Sequence, residues 1–342
     1  MRELLEKTLA RLRAGEGAVW CVILAAAGST PRGPGAKMAV FEDGTSVGTV
    51  GGGAVEHQAM EFARTMDGKS ALVRDYELHS GGEAGLGMVC GGRVRIGFLP
   101  LRPTDEPLLG DLLLRFDETE RGGSPWLLKL YFRGEGSSIC AEAAEPIGLH
   151  GAEDAPLPFP SLTEADGGLV YAEPVRPRAR VVIFGAGHVS RALVPVLLPL
   201  NFSVTVLDPR TELTDPGRFP GAALRRAEFD PLPPSLRIGP RDYLVVMTPG
   251  HEKDLAVLRQ VLRSPAAYIG CIGSRKKTAY VNQKLLEGGF TESELRRIHA
   301  PIGLPIQART PEEIAVSIAA ELIQHRAALA GPPPGDKPPL AL

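Results

Sequence analysis

Hydrophobic positions change their spacing several times along the chain, and each change marks an element. Leu4, Leu5, Leu9 and Leu12 recur at helical spacing with acids between them, so MRELLEKTLARLRAGEG predicts an amphipathic helix ended by Gly15. The run Ala18–Ala27 is almost unbroken in apolar character, as expected of a strand buried on both faces. A glycine- and proline-rich loop follows, and then Lys37–Phe41 and Thr45–Val50 predict a hairpin around Asp43-Gly44. Gly51, Gly52 and Gly53 open a helix over Ala54–Met66. Strands are expected near Ala71–Leu78, Arg93–Leu99, Trp126–Phe132 and Ser137–Ala141, with a helix near Glu106–Arg115. Beta elements outnumber helices here, which reads as an α+β front domain.

From Ala179 strands and helices alternate: strand Val181–Phe184, helix, strand Ser203–Leu207, strand Tyr243–Met247, helix from Glu252, strand Tyr268–Ile272, helix from Lys276. Such alternation predicts a parallel sheet. In the closing helix Thr310 caps, Pro311 takes the first position and Glu313 completes a capping box. Prolines cluster between the two halves, around one strand at Leu169–Glu173, and again in the last dozen residues. The fold class is therefore α/β, an α+β front domain followed by a Rossmann-like parallel-sheet domain. The expected boundaries are a front domain 1–145, a proline-rich connection 146–178, a Rossmann-like domain 179–330 and a disordered proline-rich tail 331–342.

The chemistry concentrates in glycine-bearing loops. VVIFGAGHVSR followed by SVTVLD gives a strand, a turn at Gly185-Ala-Gly187, a helix, a second strand and an acid, Asp208. In a dinucleotide-binding turn the first glycine lets the chain bend and the second lets backbone approach a phosphate. The helix N-terminus faces that anion, and the acid accepts from ribose hydroxyls. Ser190 stands where a third glycine would be, and Pro195 is expected to kink or shorten the helix. His188 falls at the mouth of the crevice. MTPGHEK (Gly250, His251) and IGSRKK (Ser274, Arg275) each follow a strand and open a helix, so they belong to the same ligand-binding edge. Backbone N–H groups, the Ser274 hydroxyl and the Arg275 guanidinium suit a phosphate.

In the front half, Arg32, Lys37, the three glycines Gly51–Gly53 and Glu56 form a second candidate binding group. Three consecutive glycines point to left-handed backbone or to close approach by a ligand. Of the four cysteines, Cys21, Cys140 and Cys271 lie in apolar strand-like runs. Cys90 sits in GMVCGG, where glycines on both sides suggest an exposed loop and a thiol that is either a soft ligand or sulfur carrier or a structural thiol. A formal net charge of −2 gives no electrostatic footing for nucleic acid or an anionic membrane. The longest apolar run is too short to span a bilayer, and the first helix does not resemble a signal peptide. A cytoplasmic location is expected.

Eight blocks, AAAGSTPRGPGAKMAV, GTVGGGAVEHQA, MVCGGRV, IFGAGHVSRAL, VTVLDPR, TPGHEKDL, IGSRKK and HAPIGLPIQARTPEEIAVSI, resemble in order the XdhC/CoxI family of accessory proteins. The resemblance implies a maturation factor more than an enzyme. Its implied role is to hold molybdenum cofactor (molybdopterin), support sulfuration with a cysteine desulfurase, and deliver the product to an apo molybdenum hydroxylase such as xanthine dehydrogenase, aldehyde oxidase or CO dehydrogenase. A homodimer is expected. The residues alone leave two alternatives open: an oxidoreductase using NAD(P) at the Gly185 turn, and a partner-binding module with a vestigial nucleotide site.

Overall fold

The computed structural model describes residues 1–78, 91–133, 160–165 and 167–330. Two compact units divide it, one ending at Pro177 and one beginning at Arg178.

The front unit runs α1 (Arg2–Arg13), β1 (Ala18–Ala27), β2 (Lys37–Phe41), β3 (Ser46–Gly48), α2 (Gly53–Thr65), β4 (Leu72–Glu77), β5 (Arg93–Leu101), α3 (Glu106–Glu120), β6 (Trp126–Arg133), β7 (Ser161–Ala165) and β8 (Gly168–Val175). Among the described residues these strands form a five-stranded antiparallel sheet, β3-β2-β1-β5-β4, and a three-stranded one, β6-β8-β7. The period of two along β1 explains its unbroken apolar run. Trp20, Val22 and Leu24 pack with α1, α3 and the three-stranded sheet. Cys21 and Ile23 point the other way, into a core closed by Val55, Ala59 and Ala63 of α2.

Within the stretch expected as a connection, 146–178, the described residues form β7 and β8, strands of the front unit, while 146–159 lie outside the described residues. Its prolines are compatible with pairing for a positional reason. β7 covers β8 only from Gly168 to Ala172, so Pro174 withholds no ladder bond on that side. The expected strand Ser137–Ala141 and the tail 331–342 lie outside the described residues.

The rear unit runs β9 (Ala179–Phe184), α4 (His188–Leu197), β10 (Phe202–Asp208), β11 (Ala223–Arg226), β12 (Asp242–Val246), α5 (His251–Val261), β13 (Tyr268–Cys271), α6 (Arg275–Glu287), α7 (Glu292–Leu295), β14 (Ile298–His299) and α8 (Pro311–Ala330). All strand pairs are parallel, in the order β11-β10-β9-β12-β13-β14. Counted from its first strand this is 3-2-1-4-5-6, the doubly wound order of dinucleotide-binding domains. Val181 and Ile183 bury toward α4 and α8, while Val182 and Phe184 bury toward α5 and α6. Pro195 lies inside α4, which stops two residues later. The capping box of α8 forms: Thr310 Oγ1 accepts from the Glu313 N–H at 3.2 Å, and Glu313 accepts from the Thr310 N–H at 3.1 Å. Among the described residues no helix is long and apolar enough to cross a membrane.

Candidate functional site

Strand order reverses between β9 and β12, and α4 and α5 leave toward opposite faces there, so the crevice of the rear unit opens at these two carboxyl ends. Gly185 adopts φ 110°, and a Cβ placed on it would stand 2.3 Å from the Met247 carbonyl oxygen at the end of β12. No other residue fits. Ser190 is buried and donates its hydroxyl to the Gly185 carbonyl, so it ties the turn to the first turn of α4. Gly187 has open space around it and precedes α4, whose first N–H groups have no helical carbonyl to reach. His188 is exposed and, with Arg191, Pro195, Pro311 and Val316, lines a cleft of about 510 Å³ between α4 and α8.

Asp208 departs from the ribose-binding expectation. It is 0% exposed. Oδ2 accepts from the Ala186 N–H and from Arg210 Nη2, both at 2.8 Å, and Oδ1 accepts from the Arg210 N–H and Nε, both at 2.9 Å. Burial pushes this carboxyl upward, but the bonds from Arg210 and Ala186 outweigh it and the net shift is downward. Asp208 is thus an ionised anchor of the glycine turn.

The next two loops share that edge. Gly250, at φ 107°, leads into α5, and His251 is exposed with its ring edge-on to Tyr280 at 5.0 Å. Ser274 caps α6 by accepting from the Lys277 N–H at 3.3 Å, and Arg275 is exposed. Lys277 turns inward to the buried Asp254, whose other oxygen accepts from the Thr248 N–H at 2.9 Å and hydroxyl at 2.6 Å. That network fixes the β12 and β13 loops together and leaves Arg275, with Lys276, as an outward cation of its loop.

In the front unit three motif loops converge at one end of the larger sheet. A Cβ on Gly92 would lie 2.4 Å from the Ser29 carbonyl oxygen, and one on Gly51 would lie 3.2 Å from Pro31. Gly51, Gly52 and Gly53 all have positive φ, at 136°, 71° and 61°. Glu56 takes up the resulting N–H groups. Its Oε2 accepts from Val50 and Gly52 at 3.1 Å each, and from the Thr49 hydroxyl. Burial raises its pKa, the bonds from Thr49, Gly52 and Val50 lower it, and the net is a decrease. Arg32 is exposed in the first loop. Lys37 is buried in an ion pair with Glu173, which also accepts from the Tyr171 hydroxyl, beside a cleft of about 450 Å³. Cys90, next to Gly91, lies outside the described residues, as does Cys140.

The described thiols are of the inert kind. Burial pushes both Cys21 and Cys271 up to about 12. Among the described residues no group of three or more His, Cys, Asp and Glu could hold a metal ion. A further polar cluster surrounds His299, which the sequence offers with His188 and His251 only as a weak metal-ligand candidate. His299, at the end of β14, pairs through Nδ1 with Glu321 at 3.0 Å and stacks on Tyr268 at 4.4 Å. Its two-residue strand gives no periodic signal, so beyond that only the HAPIGLP block could have pointed to it.

Comparison with known proteins follows the same two parts. A model of the XdhC Rossmann domain matches residues 181–322, and a model of the XdhC and CoxI family matches residues 11–77. The chain is 26% identical over 318 residues to a probable xanthine dehydrogenase subunit from Bacillus subtilis, covering 91% of this chain and 94% of that one. It is 26% identical over 329 residues to the molybdenum cofactor insertion chaperone PaoD of Escherichia coli, covering 95% and 88%. Against the uncharacterized protein YqeB of E. coli it is 27% identical over 87% of this chain, and the match spans only 41% of that longer protein. A crystal structure described as a xanthine dehydrogenase from Bacillus halodurans superposes with a TM-score of 0.74 at 25% identity, over 99% of this chain and 98% of that one. With both family models matched in chain order, and with the glycine turns and strand order above, this chain belongs to the XdhC/CoxI family.

Proposed function

We propose that this chain is a molybdenum cofactor chaperone that supports sulfuration of the cofactor and its insertion into a molybdenum hydroxylase of the xanthine dehydrogenase, aldehyde oxidase or CO dehydrogenase type. Its partners on this reading are the apo-hydroxylase and a cysteine desulfurase, and it works as a cytoplasmic homodimer. In the rear unit the cofactor's phosphate meets the Gly185–Gly187 turn, with Ser274 and Arg275 on the same sheet edge. In the front unit Cys90 handles molybdenum or sulfur, and Arg32 and Gly51–Gly53 are further candidate contacts.

The saturation of Asp208 carries this reading. A dehydrogenase with this strand order needs an acceptor for ribose at the end of β10, and here the acid is closed to solvent and bonded to Ala186 and Arg210. An anion-ready turn without a ribose acceptor suits a carrier of a phosphorylated pterin better than a pyridine-nucleotide enzyme. The near end-to-end likeness to PaoD supports the same choice.

The test is transfer. Protein loaded with cofactor should activate a cofactor-free hydroxylase faster than free cofactor does, and Cys90→Ala should bind cofactor but fail to deliver its sulfurated form. Titration with NADH and NADPH should give neither binding nor turnover over aldehydes and hydroxy acids. Turnover with either nucleotide would replace the chaperone reading with the oxidoreductase one.

A further inference from the structure

The bonds that close Asp208 also create something. A carboxylate has about four lone-pair positions, and the Ala186 N–H together with the Arg210 N–H, Nε and Nη2 occupies all of them. Arg210 is thereby held rigid, while Nη1 has no part in these bonds and the side chain remains 39% exposed. One oxygen, Oδ2, accepts from both Ala186 and Arg210, so the guanidinium stands a single atom away from the glycine turn. The negative partner is buried and the positive one faces outward, so the pair presents its cationic end. Arg226, in register with Asp208 at the end of β11, is exposed and donates to the Pro209 carbonyl at 3.3 Å. That places a second guanidinium on the same edge.

We propose that the end of β10 is an anion subsite, and that Arg210 makes the crevice select a ligand ending in a phosphate monoester over one extended through a diphosphate to a nucleotide. The inference rests on the reading of the rear unit as the place where the cofactor's phosphate is held. A monoester brings close to two negative charges at neutral pH, which a preorganised planar guanidinium meets with paired donors. A nucleotide extension brings a ribose diol to this point, and the acid that would accept from it has no position left. Arg210 is therefore a specificity-determining residue for the plain form of molybdenum cofactor against its cytosine dinucleotide form.

The experiment titrates the full chain, freed of ligand, with two probes: molybdopterin bearing its terminal phosphate, and the cytosine dinucleotide form. Wild type should bind the plain form at least about tenfold more tightly, the weight of one charge-assisted bond. Arg210→Ala should abolish that preference by weakening the plain form alone. Because this variant leaves Asp208 buried without its cation, Asp208→Asn combined with Arg210→Met provides a second one. It removes both charges, keeps an acceptor for Ala186, and should likewise lose the preference. Equal wild-type affinity for the two probes, or a preference that survives both variants, overturns the subsite. A wild type that binds neither probe overturns the underlying reading of the rear unit along with it.

Discussion

Glu56 in the front unit and Asp208 in the rear unit both stand beside glycine turns, where a carboxylate would be expected to reach out to a ligand. Both reach inward. Glu56 gathers the N–H groups of Val50 and Gly52 and the Thr49 hydroxyl, and among the described residues no cation joins it. Asp208 gathers the Ala186 N–H and the whole donor edge of Arg210. The front turn is thus held by an anion alone, whereas the rear turn is held by an ion pair whose cation faces out. An acid after a glycine run can be the anchor that makes the run rigid, and the ligand preference of the site then depends on what the acid brings with it.

The largest expected effect separates glycines that the backbone demands from those left open for a ligand. Gly185→Ala should destabilise the rear unit by roughly 3 kcal/mol or more, because it combines positive φ with a clash against the Met247 carbonyl. Gly187→Ala, with φ −76° and nothing within 4 Å, should change stability by less than about 1 kcal/mol while weakening ligand binding. Urea unfolding of the two variants checks this, and equal midpoints would remove the distinction. In the front unit Gly92→Ala should behave like Gly185→Ala, since its Cβ would meet the Ser29 carbonyl.

A smaller effect tests the anchoring role of Glu56. Glu56→Ala leaves the Thr49, Val50 and Gly52 donors without their acceptor and should cost about 1–3 kcal/mol in chemical denaturation. Its folded-state pKa is lowered, so its contribution is complete above the unfolded carboxylate range near pH 4 and is lost as pH falls through the lower folded value. The same holds for Asp208. Glu56→Gln should therefore flatten the stability profile below about pH 4 and leave its shape at pH 6–8 unchanged. A variant with the wild-type acid limb would show that Glu56 titrates normally.

The smallest effect concerns thiols. Cys21 and Cys271, both buried and pushed up to about 12, should resist iodoacetamide at pH 8 in the native protein, whereas all four cysteines react after unfolding. Peptide mapping reads the difference. Rapid native labelling of Cys271 would mean that the β13 edge opens to solvent.

The architecture was legible wherever apolar spacing ran long enough to show a period. Val181–Phe184, Ser203–Leu207 and Tyr243–Met247 mark three core strands of a parallel sheet, and β9, β10 and β12 stand there. Short or exposed strands escaped. Ala223–Arg226 is mostly exposed and Ile298–His299 is two residues long, so neither interrupts the surrounding pattern. The strand at Ser161–Ala165 was hidden by the prolines before it, whereas Gly168–Val175 stands where the strand Leu169–Glu173 was expected. At the candidate sites the sequence located Gly185, Asp208 and Glu56 but not the direction of their bonds. Spacing places an acid at the end of a strand; only the neighbouring Arg210 and the N–H groups of the turn determine that it faces inward.

The central claim is that this chain carries molybdenum cofactor. The most direct measurement is the pterin and molybdenum content of protein purified from cofactor-replete cells, with protein from cells unable to make the cofactor as the blank. The account predicts pterin approaching one equivalent per chain, reduced in Gly187→Ala and Arg210→Ala. Pterin at the level of the blank, in protein that is folded and unfolds cooperatively, would contradict it.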